Sequence, residues 1–338
     1  METLTTATAA RPQILVLTED EIRQCTRLDH DALAAVEAAF TSLAAGSAFV
    51  PPIMGIFVPE RQGEVDVKSA YVKGLPAFAI KVASGFFTNP ERGLPTSSGL
   101  MLVMSTETGY PLAVLLDNGY LTDVRTGLAG AIGSKYLAPT AIETVGVIGA
   151  GTQGRYQVRA LQLVRSFQRV LVYDRMPAAV ERYVAEMPAV LGVPVEAAAD
   201  ARTLVDRSQV VITATPSHEP YLRPEWLHPG LHIGSMGADL PEKQELFAAT
   251  VGRVDLIACD LKAQCFARGE LHHAITEGVI SEHQDVTELG ELTAGKAPGR
   301  TSDSQITLSV LTGVGVQDTA IALFTWQRAR EKGFGREV

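Results

Sequence analysis

Apolar and polar positions follow two rhythms, and the change between them divides the chain. Up to about residue 120 the pattern is mostly that of strands. Residues 14–17 form a short apolar run, and Thr18 then opens T-E-D-E, a capping-box pattern. Leu33, Val36, Phe40 and Leu43 recur at helical spacing over 28–44, until Gly46 stops the helix and Val50-Pro51-Pro52 forms a non-helical link. IMGIFVPE, VDVKSAYV and AFAIKVAS then read as three strands over 53–83, with Val65, Val67 and Ser69 alternating against Asp66 and Lys68. Residues 84–98, SGFFTNPERGLPTSS, read as a long loop, and such loops inside compact domains are often functional. Strands at 100–104 and 113–116 flank the turn Glu107-Thr108-Gly109, and a helix over 121–136 carries Arg125 among Gly127, Ala129, Gly130 and Ala131.

After Pro139 short apolar runs alternate with helices. Strands are predicted at 145–148, 170–173, 195–197, 210–213, 231–235 and 256–259. Helices are predicted near 178–187 and 201–206, with a closing helix over 306–330 after the loop Pro298-Gly299-Arg300. Strands alternating with helices imply a parallel sheet covered on both faces. No internal repeat is present.

The run at 145–148 leads straight into Gly149, Gly151 and Gly154, spaced G-x-G-x-x-G. An amphipathic helix and a second apolar run follow, ending at Asp174. Strand, glycine turn, helix, strand and acid together form the dinucleotide-binding fingerprint. Gly149 lets the chain turn tightly, Gly151 lets backbone approach a pyrophosphate, and Gly154 lets helix and strand pack closely. The helix start offers free N–H groups to phosphate. Asp174 suits ribose hydroxyls and would repel a 2′-phosphate, so NAD(H) is preferred; Arg175 beside it leaves NADP(H) allowed. The expected fold class is α/β: a Rossmann-type doubly wound sheet over 125–307, plus an N-terminal α+β substrate and dimerisation domain formed by 1–124 and 308–338, joined by the C-terminal helix.

Composition narrows the partners. At 338 residues the chain can bury two cores, and 46% hydrophobic with 20% charged residues describes an ordinary globular protein. A net charge of −9 and the absence of long basic runs exclude a nucleic-acid footprint. No apolar stretch reaches the ~18 residues of a membrane span. The opening METLTTATAARP lacks the basic start and apolar core of a signal peptide and reads as a short disordered lead-in. Cys25, Cys259 and Cys265 have no metal or redox spacing and suit a reducing cytoplasm. The seven histidines make no metal pattern, so no metal is expected.

The chain resembles the ornithine cyclodeaminase/mu-crystallin family. The matching stretches are AIKV (79–82), LPTSSGLMLVMSTETGYPLAVL (94–115), LTDVRTGLAG (121–130), the glycine turn, HPGLHIGSMGADLPEKQEL (228–246) and ELGELTAGKAPGRTSDSQIT (288–307). GEVDVKSAYVKG, FAIKVASGFF, LLDNGYLTDVRT and TGVGVQDTAIA look most like its ectoine-utilisation (EutC) branch. The resemblance implies a homodimer built on the N-terminal domain, one NAD(P) per subunit, and an amino-acid-like or cyclic imino substrate between the domains. It carries a substrate-carboxylate role onto Lys81, a place between carboxylate and cofactor phosphate onto Arg125, and a catalytic acid onto Asp239. Thr312 joins the substrate-facing set. Thr96, Thr152, Gln153, Thr215, Met236 and Lys243 match cofactor-contacting positions.

The residues support these assignments to different degrees. Lys81 interrupts an apolar strand, which is costly without an anionic partner; the bland alternative is a lysine snorkelling from an edge strand. Arg125 suits bidentate oxyanion binding, or equally a surface salt bridge. Asp239 could polarise a C=N bond, or simply cap a turn. The chain departs from the family at Phe49, whose segment lacks the usual carboxylate-gripping arginine, and at Lys68-Ser69, where the family has methionine-proline. Asp66 and Lys68 share one side of their strand. Lys68 is therefore the candidate replacement cation and Asp66 a contact for a ring nitrogen, the alternative being a solvated face. The function implied is NAD(P)H-dependent reduction of a small cyclic imine or amidine carboxylate in hydroxyectoine/ectoine utilisation. Ornithine cyclodeamination, reduction of iminosuccinate or pyrroline-2-carboxylate, and non-catalytic small-molecule binding stay open as rivals.

Overall fold

The computed structural model describes residues 12–283 and 285–338; the expected N-terminal lead-in falls almost wholly outside them. Two sheets organise the chain. The first begins with β1 (Leu15–Thr18), followed by α1 (Glu19–Cys25) and α2 (His30–Ala44). The Thr18 and Glu21 side chains form the expected capping box. Then come β2 (Ala48–Phe49), β3 (Met54–Val58), β4 (Gly63–Val72), β5 (Ala77–Phe86), β6 (Ser97–Ser105) and β7 (Pro111–Leu116). The order is β16-β1-β7-β6-β5-β4-β2, with β3 also on β4, where β16 (Arg336–Glu337) ends the chain. Among the described residues of this sheet only β1 and β7 pair in parallel. The segment at 84–98 is shorter as a loop than expected: β5 and β6 stay paired out to Gly85 and Ser97, because small residues let the ladder continue.

Helix α3 (Tyr120–Leu137) leads to the second sheet, built from β8 (Thr144–Ile148), α4 (Thr152–Leu161), β9 (Arg169–Tyr173), α5 (Pro177–Leu191), β10 (Val195–Ala197), α6 (Ala201–Asp206) and β11 (Val210–Thr213). It continues through β12 (His232–Ser235), α7 (Ala248–Val251), β13 (Leu256–Cys259), α8 (Lys262–Cys265), α9 (Glu270–Thr276), β14 (Val286–Glu288), α10 (Leu289–Thr293) and β15 (Thr307–Val310). All its pairings are parallel, in the order β10-β9-β8-β11-β12-β15-β13-β14. The strand order reverses between β8 and β11, and the crevice at such a switch point is where open α/β sheets bind ligands.

The expected closing helix is two elements. Residues 307–310 form β15, buried between β12 and β13, and the helix α11 (Gly315–Lys332) starts only after Gly313, whose φ of +80° breaks the run. The expected domain limits at 124/125 and 307/308 cut through α3 and β15, so neither is a linker. The small residues of α3 explain why it runs against the second sheet's helices. A Cβ on Gly127 would sit 3.0 Å from the Tyr156 carbonyl, and one on Gly130 would collide with Gln157. Helix α11 returns to the first sheet. Its Thr319 hydroxyl donates to the Ala70 carbonyl (2.8 Å) and accepts from the Ala79 N–H (3.1 Å), pinning the helix across β4 and β5.

Candidate functional site

One face of the first sheet changes character along its strands. Ala70, Ala79 and Val103 lie under α11 and are buried. Further along the same face stand Glu64, Asp66 and Lys68 on β4, opposite Gly85, Ala83 and Lys81 on β5. Gly99 and Ser97 of β6 keep that end of the face low. The result is a cleft of about 230 Å³ between the two sheets. It is smaller than the ~300–1,000 Å³ of sites for drug-sized ligands, which suits a small metabolite.

Lys81 and Lys68 face each other across the β4–β5 ladder, like charges that would repel unless each had a partner. Lys81 has Asp318 at 3.1 Å; Lys68 has Asp66 at 3.6 Å and donates to the Thr312 carbonyl at 3.2 Å. Arg125, from α3, places its Nε 3.0 Å from the same Asp318 oxygen and donates from Nη1 to Gln317 at 2.7 Å. Asp318 is fully buried in the first turn of α11. It therefore serves as the shared counter-ion of both cations. Burial pulls the Lys81 amine down to about 7, with Arg125 and Lys68 adding to the effect and Asp318 opposing it. Lys81 sits on an interior strand and is 2% exposed, so it is not a snorkelling edge lysine. Lys68 is likewise buried rather than on a solvated face.

Gly313 and Asp260 shape this end of the cleft. A Cβ on Gly313 would stand 2.6 Å from Arg125 Nη1. The buried Asp260 accepts the N–H groups of Thr312 (2.9 Å) and Gly313 (2.6 Å) and the Thr312 hydroxyl (3.2 Å). Thr312 therefore offers its carbonyl to Lys68 while its hydroxyl is tied to Asp260 and Gln264.

At the cleft's other wall Asp239 accepts from Lys243 at 2.9 Å, and Lys243 also reaches Glu64 at 3.6 Å, across from the first sheet. Burial would raise the Asp239 carboxyl, but Lys243 and Lys68 outweigh it and hold it below its ordinary value. Burial pushes Asp123 up to about 6, against the bond it accepts from Gln153 at 2.8 Å.

The three glycines of the turn do three different things. Gly149 has φ +107°, and a Cβ there would lie 2.4 Å from the Ala214 carbonyl. Gly154 packs so closely that a Cβ would stand 2.1 Å from the Gly149 carbonyl. A Cβ on Gly151 would meet nothing within 4 Å, so its backbone borders open space at the start of α4. That is the geometry a pyrophosphate needs, and these residues fit a dinucleotide. The Asp174 carboxylate, at the end of β9, accepts the N–H groups of Ala150 (2.8 Å) and Met176 (2.9 Å), so it also shapes the turn.

Of the residues picked out in the sequence, Asp66, Lys68, Lys81, Arg125, Gln153, Met236, Asp239, Lys243 and Thr312 line one cleft. Thr152 is at the glycine turn. Thr96 lies on the β5–β6 connection, its carbonyl accepting from Phe86, and does not line the cleft. Thr215 donates both its N–H and its hydroxyl to Glu245, so these groups face inward. Phe49 is 66% exposed on the edge strand β2, away from the cleft. Asp318 is not among the residues picked out in the sequence, because an acid in the first turn of a long helix carries no sign of its burial.

The model of the ornithine cyclodeaminase/mu-crystallin family matches residues 13–333. The chain belongs to that family. An uncharacterized cyclodeaminase of Sinorhizobium fredii is 44% identical over 325 residues, 96% of this chain and 98% of that one. The Delta(1)-pyrroline-2-carboxylate reductase of Thermococcus litoralis, solved in complex with NADH and L-proline, superposes with a TM-score of 0.90 at 32% identity, covering 96% of this chain and all of that one. The iminosuccinate reductase of Paracoccus denitrificans, solved in complex with NAD+, gives 0.88 at 33% identity, covering 96% and 99%. The family's NAD-dependent reductases thus share this chain's fold over nearly its whole length.

Proposed function

We propose that the protein is an NADH-dependent reductase of a small cyclic imine or amidine bearing a carboxylate, of the kind met in ectoine utilisation. The carrying observation is the buried cluster of Lys81 and Arg125 on Asp318, with Lys68 beside it, in a cleft lined also by Gln153 at the start of α4. The glycine turn, Asp174 and the NADH- or NAD+-bound neighbours support NAD(H) as cofactor.

When bound, the nicotinamide supplies a hydride to the carbon of the C=N bond. Arg125 and Lys68 hold the carboxylate and so orient that carbon, and this positioning is most of the catalytic work. Lys81, titrating near neutrality, gives the proton to nitrogen. Glu64 and Asp66 on the adjoining wall, each paired with a lysine, offer acceptors to a second nitrogen of the substrate.

A cyclodeaminase is the second reading, favoured by Asp239 standing in the cleft wall with its charge maintained. NADH absorbance separates the two. The purified protein is mixed with dehydrated hydroxyectoine made in situ, pyrroline-2-carboxylate, iminosuccinate and ornithine. Stoichiometric NADH loss with a cyclic imine is expected, and Lys81→Ala should abolish it while NADH still binds. Proline and ammonia from ornithine, without net NADH change, would establish the cyclodeaminase instead. NADH binding with no turnover of any compound would favour a binding protein.

A homodimer belongs to this reading. The outer face of the first sheet is apolar yet only half-buried at Val65, Val67, Ile80, Val82, Leu100 and Leu102, and Met54, Ile56 and Phe57 of β3 are exposed. An apolar face of that extent suits a second copy. No helix among the described residues is long and apolar enough to cross a membrane, and the three cysteines are buried thiols; we assign the enzyme to the cytoplasm.

A further inference from the structure

A buried acid shapes the cofactor side of the cleft. Glu245 follows β12 and is fully buried. Its Oε1 accepts the Thr215 N–H (2.7 Å), the Thr215 hydroxyl (2.7 Å) and the Tyr221 hydroxyl (2.8 Å). Its Oε2 accepts the Thr213 hydroxyl (2.7 Å) and the Gly237 N–H (3.0 Å). The donors come from the end of β11, the connection leaving it and the connection leaving β12. Both connections border the switch-point crevice: Ala214 packs on Gly149, and Met236 lines the cleft.

The fit around this carboxylate is close. A Cβ on Gly237 would stand 2.6 Å from the Glu245 carboxyl carbon and 2.2 Å from the Thr215 carbonyl, so only glycine passes there. A second buried acid, Glu270 at the start of α9, accepts the backbone N–H groups of Glu245 (2.9 Å) and Leu246 (3.1 Å). Burial, and then Glu245, push Glu270 up to about 8. Burial raises Glu245 too, while its donors pull it back. Five donors converging on two oxygens favour the ionised form of Glu245.

We infer that Glu245 is a positioning residue for the dinucleotide: by holding the Thr215 and Gly237 connections together it sets the crevice between β8 and β11 and thereby the affinity for NADH. The inference rests on the nucleotide-binding reading of that crevice. A merely structural acid would lower the melting temperature and leave the NADH affinity of the folded protein unchanged.

The test is NADH binding by fluorescence titration, well below the melting temperature, alongside steady-state kinetics. Glu245→Gln keeps the shape but turns an NH2 toward donors. It should weaken NADH binding roughly tenfold or more, with kcat at saturating NADH falling less than the affinity. Tyr221→Phe and Thr213→Val each remove one donor without touching the cleft lining, and should weaken NADH binding about two- to threefold each. Folded Glu245→Gln with wild-type NADH affinity overturns the inference. If Glu245→Gln does not fold, the Thr213→Val/Tyr221→Phe double variant decides, and wild-type affinity there overturns it equally. Failure of the wild-type protein to bind NADH would instead overturn the nucleotide reading itself.

Discussion

The glycine turn at 149–154, which reaches the cleft through Gln153, and the cation cluster around Asp318, which reaches it through Lys81 and Arg125, are built by opposite means. The turn is one contiguous stretch whose job is done by backbone: a positive φ at Gly149, a close approach at Gly154 and open space at Gly151. The cluster draws on β5, α3 and α11, elements separated by most of the chain, and its job is done by side chains that balance one another's charge. The first is therefore mostly a matter of backbone shape, with Asp174 and Ala214 closing it from neighbouring strands. The second depends on every partner being present, since a buried charge is tolerated only while it is paired.

That difference can be broken most severely at Asp318. Asp318→Asn keeps the volume but leaves Lys81 and Arg125 buried without their anion. It should cost about 3–5 kcal/mol of stability and abolish turnover. Denaturant unfolding checks this; a loss under about 1 kcal/mol would mean that the two cations find other partners and that the cluster is not a unit.

A subtler break is pH. The Lys81 amine is lowered to about 7 from its usual range, so its proton is present below that value and lost above it. Proton donation needs the charged form. The value of kcat/KM should therefore fall tenfold per pH unit above about 7. A profile flat through neutrality in the wild-type enzyme would remove Lys81 as the proton source.

The two regions also differ in how far the sequence reveals them. Everything the turn needs is written at fixed spacing, from the run at 145–148 to Asp174, and the structure gives Gly149 and Gly154 separate steric reasons while Gly151 borders open space. Of the cluster, Lys81 and Lys68 could be picked out because a charge in a strand of known alternation has a definite face. Asp318 could not, because an acid in the first turn of a long helix is ordinary; only the return of α11 over β4 and β5 makes it a buried counter-ion. The same long-range packing hid β15. TLSVLTGVGV reads continuously into the following helix until Gly313 is seen to turn and Thr307–Val310 to fill the gap between β12 and β13. Glu245 and Asp260 escaped notice for a related reason: each acts by gathering donors from loops that meet only in the folded chain.

Substitutions within the turn sharpen the comparison, because they separate folding from binding in a way the cluster does not allow. Gly154→Ala forces a Cβ to 2.1 Å from the Gly149 carbonyl and 3.0 Å from Val147. Helix α4 must shift, at a cost of roughly 1–3 kcal/mol, and NADH binding should weaken with it. Thermal unfolding and NADH titration on the same sample check both; an unshifted melting temperature would show that the helix start yields easily.

Gly151→Ala is expected to have the smallest effect on the protein and is the most telling. Gly151 has φ −79° and ψ −164°, a conformation any residue adopts, and its Cβ would meet nothing within 4 Å. The folded chain therefore gives no reason for glycine, and stability should stay within about 0.5 kcal/mol of wild type. A ligand does give a reason, because a methyl group in that space holds a pyrophosphate away from the N–H groups at the start of α4. NADH affinity should then drop about tenfold, or ~1.4 kcal/mol, with no change in melting temperature of the ligand-free protein. If affinity is unchanged, the dinucleotide does not lie against Gly151, and the turn would be glycine-rich for packing alone.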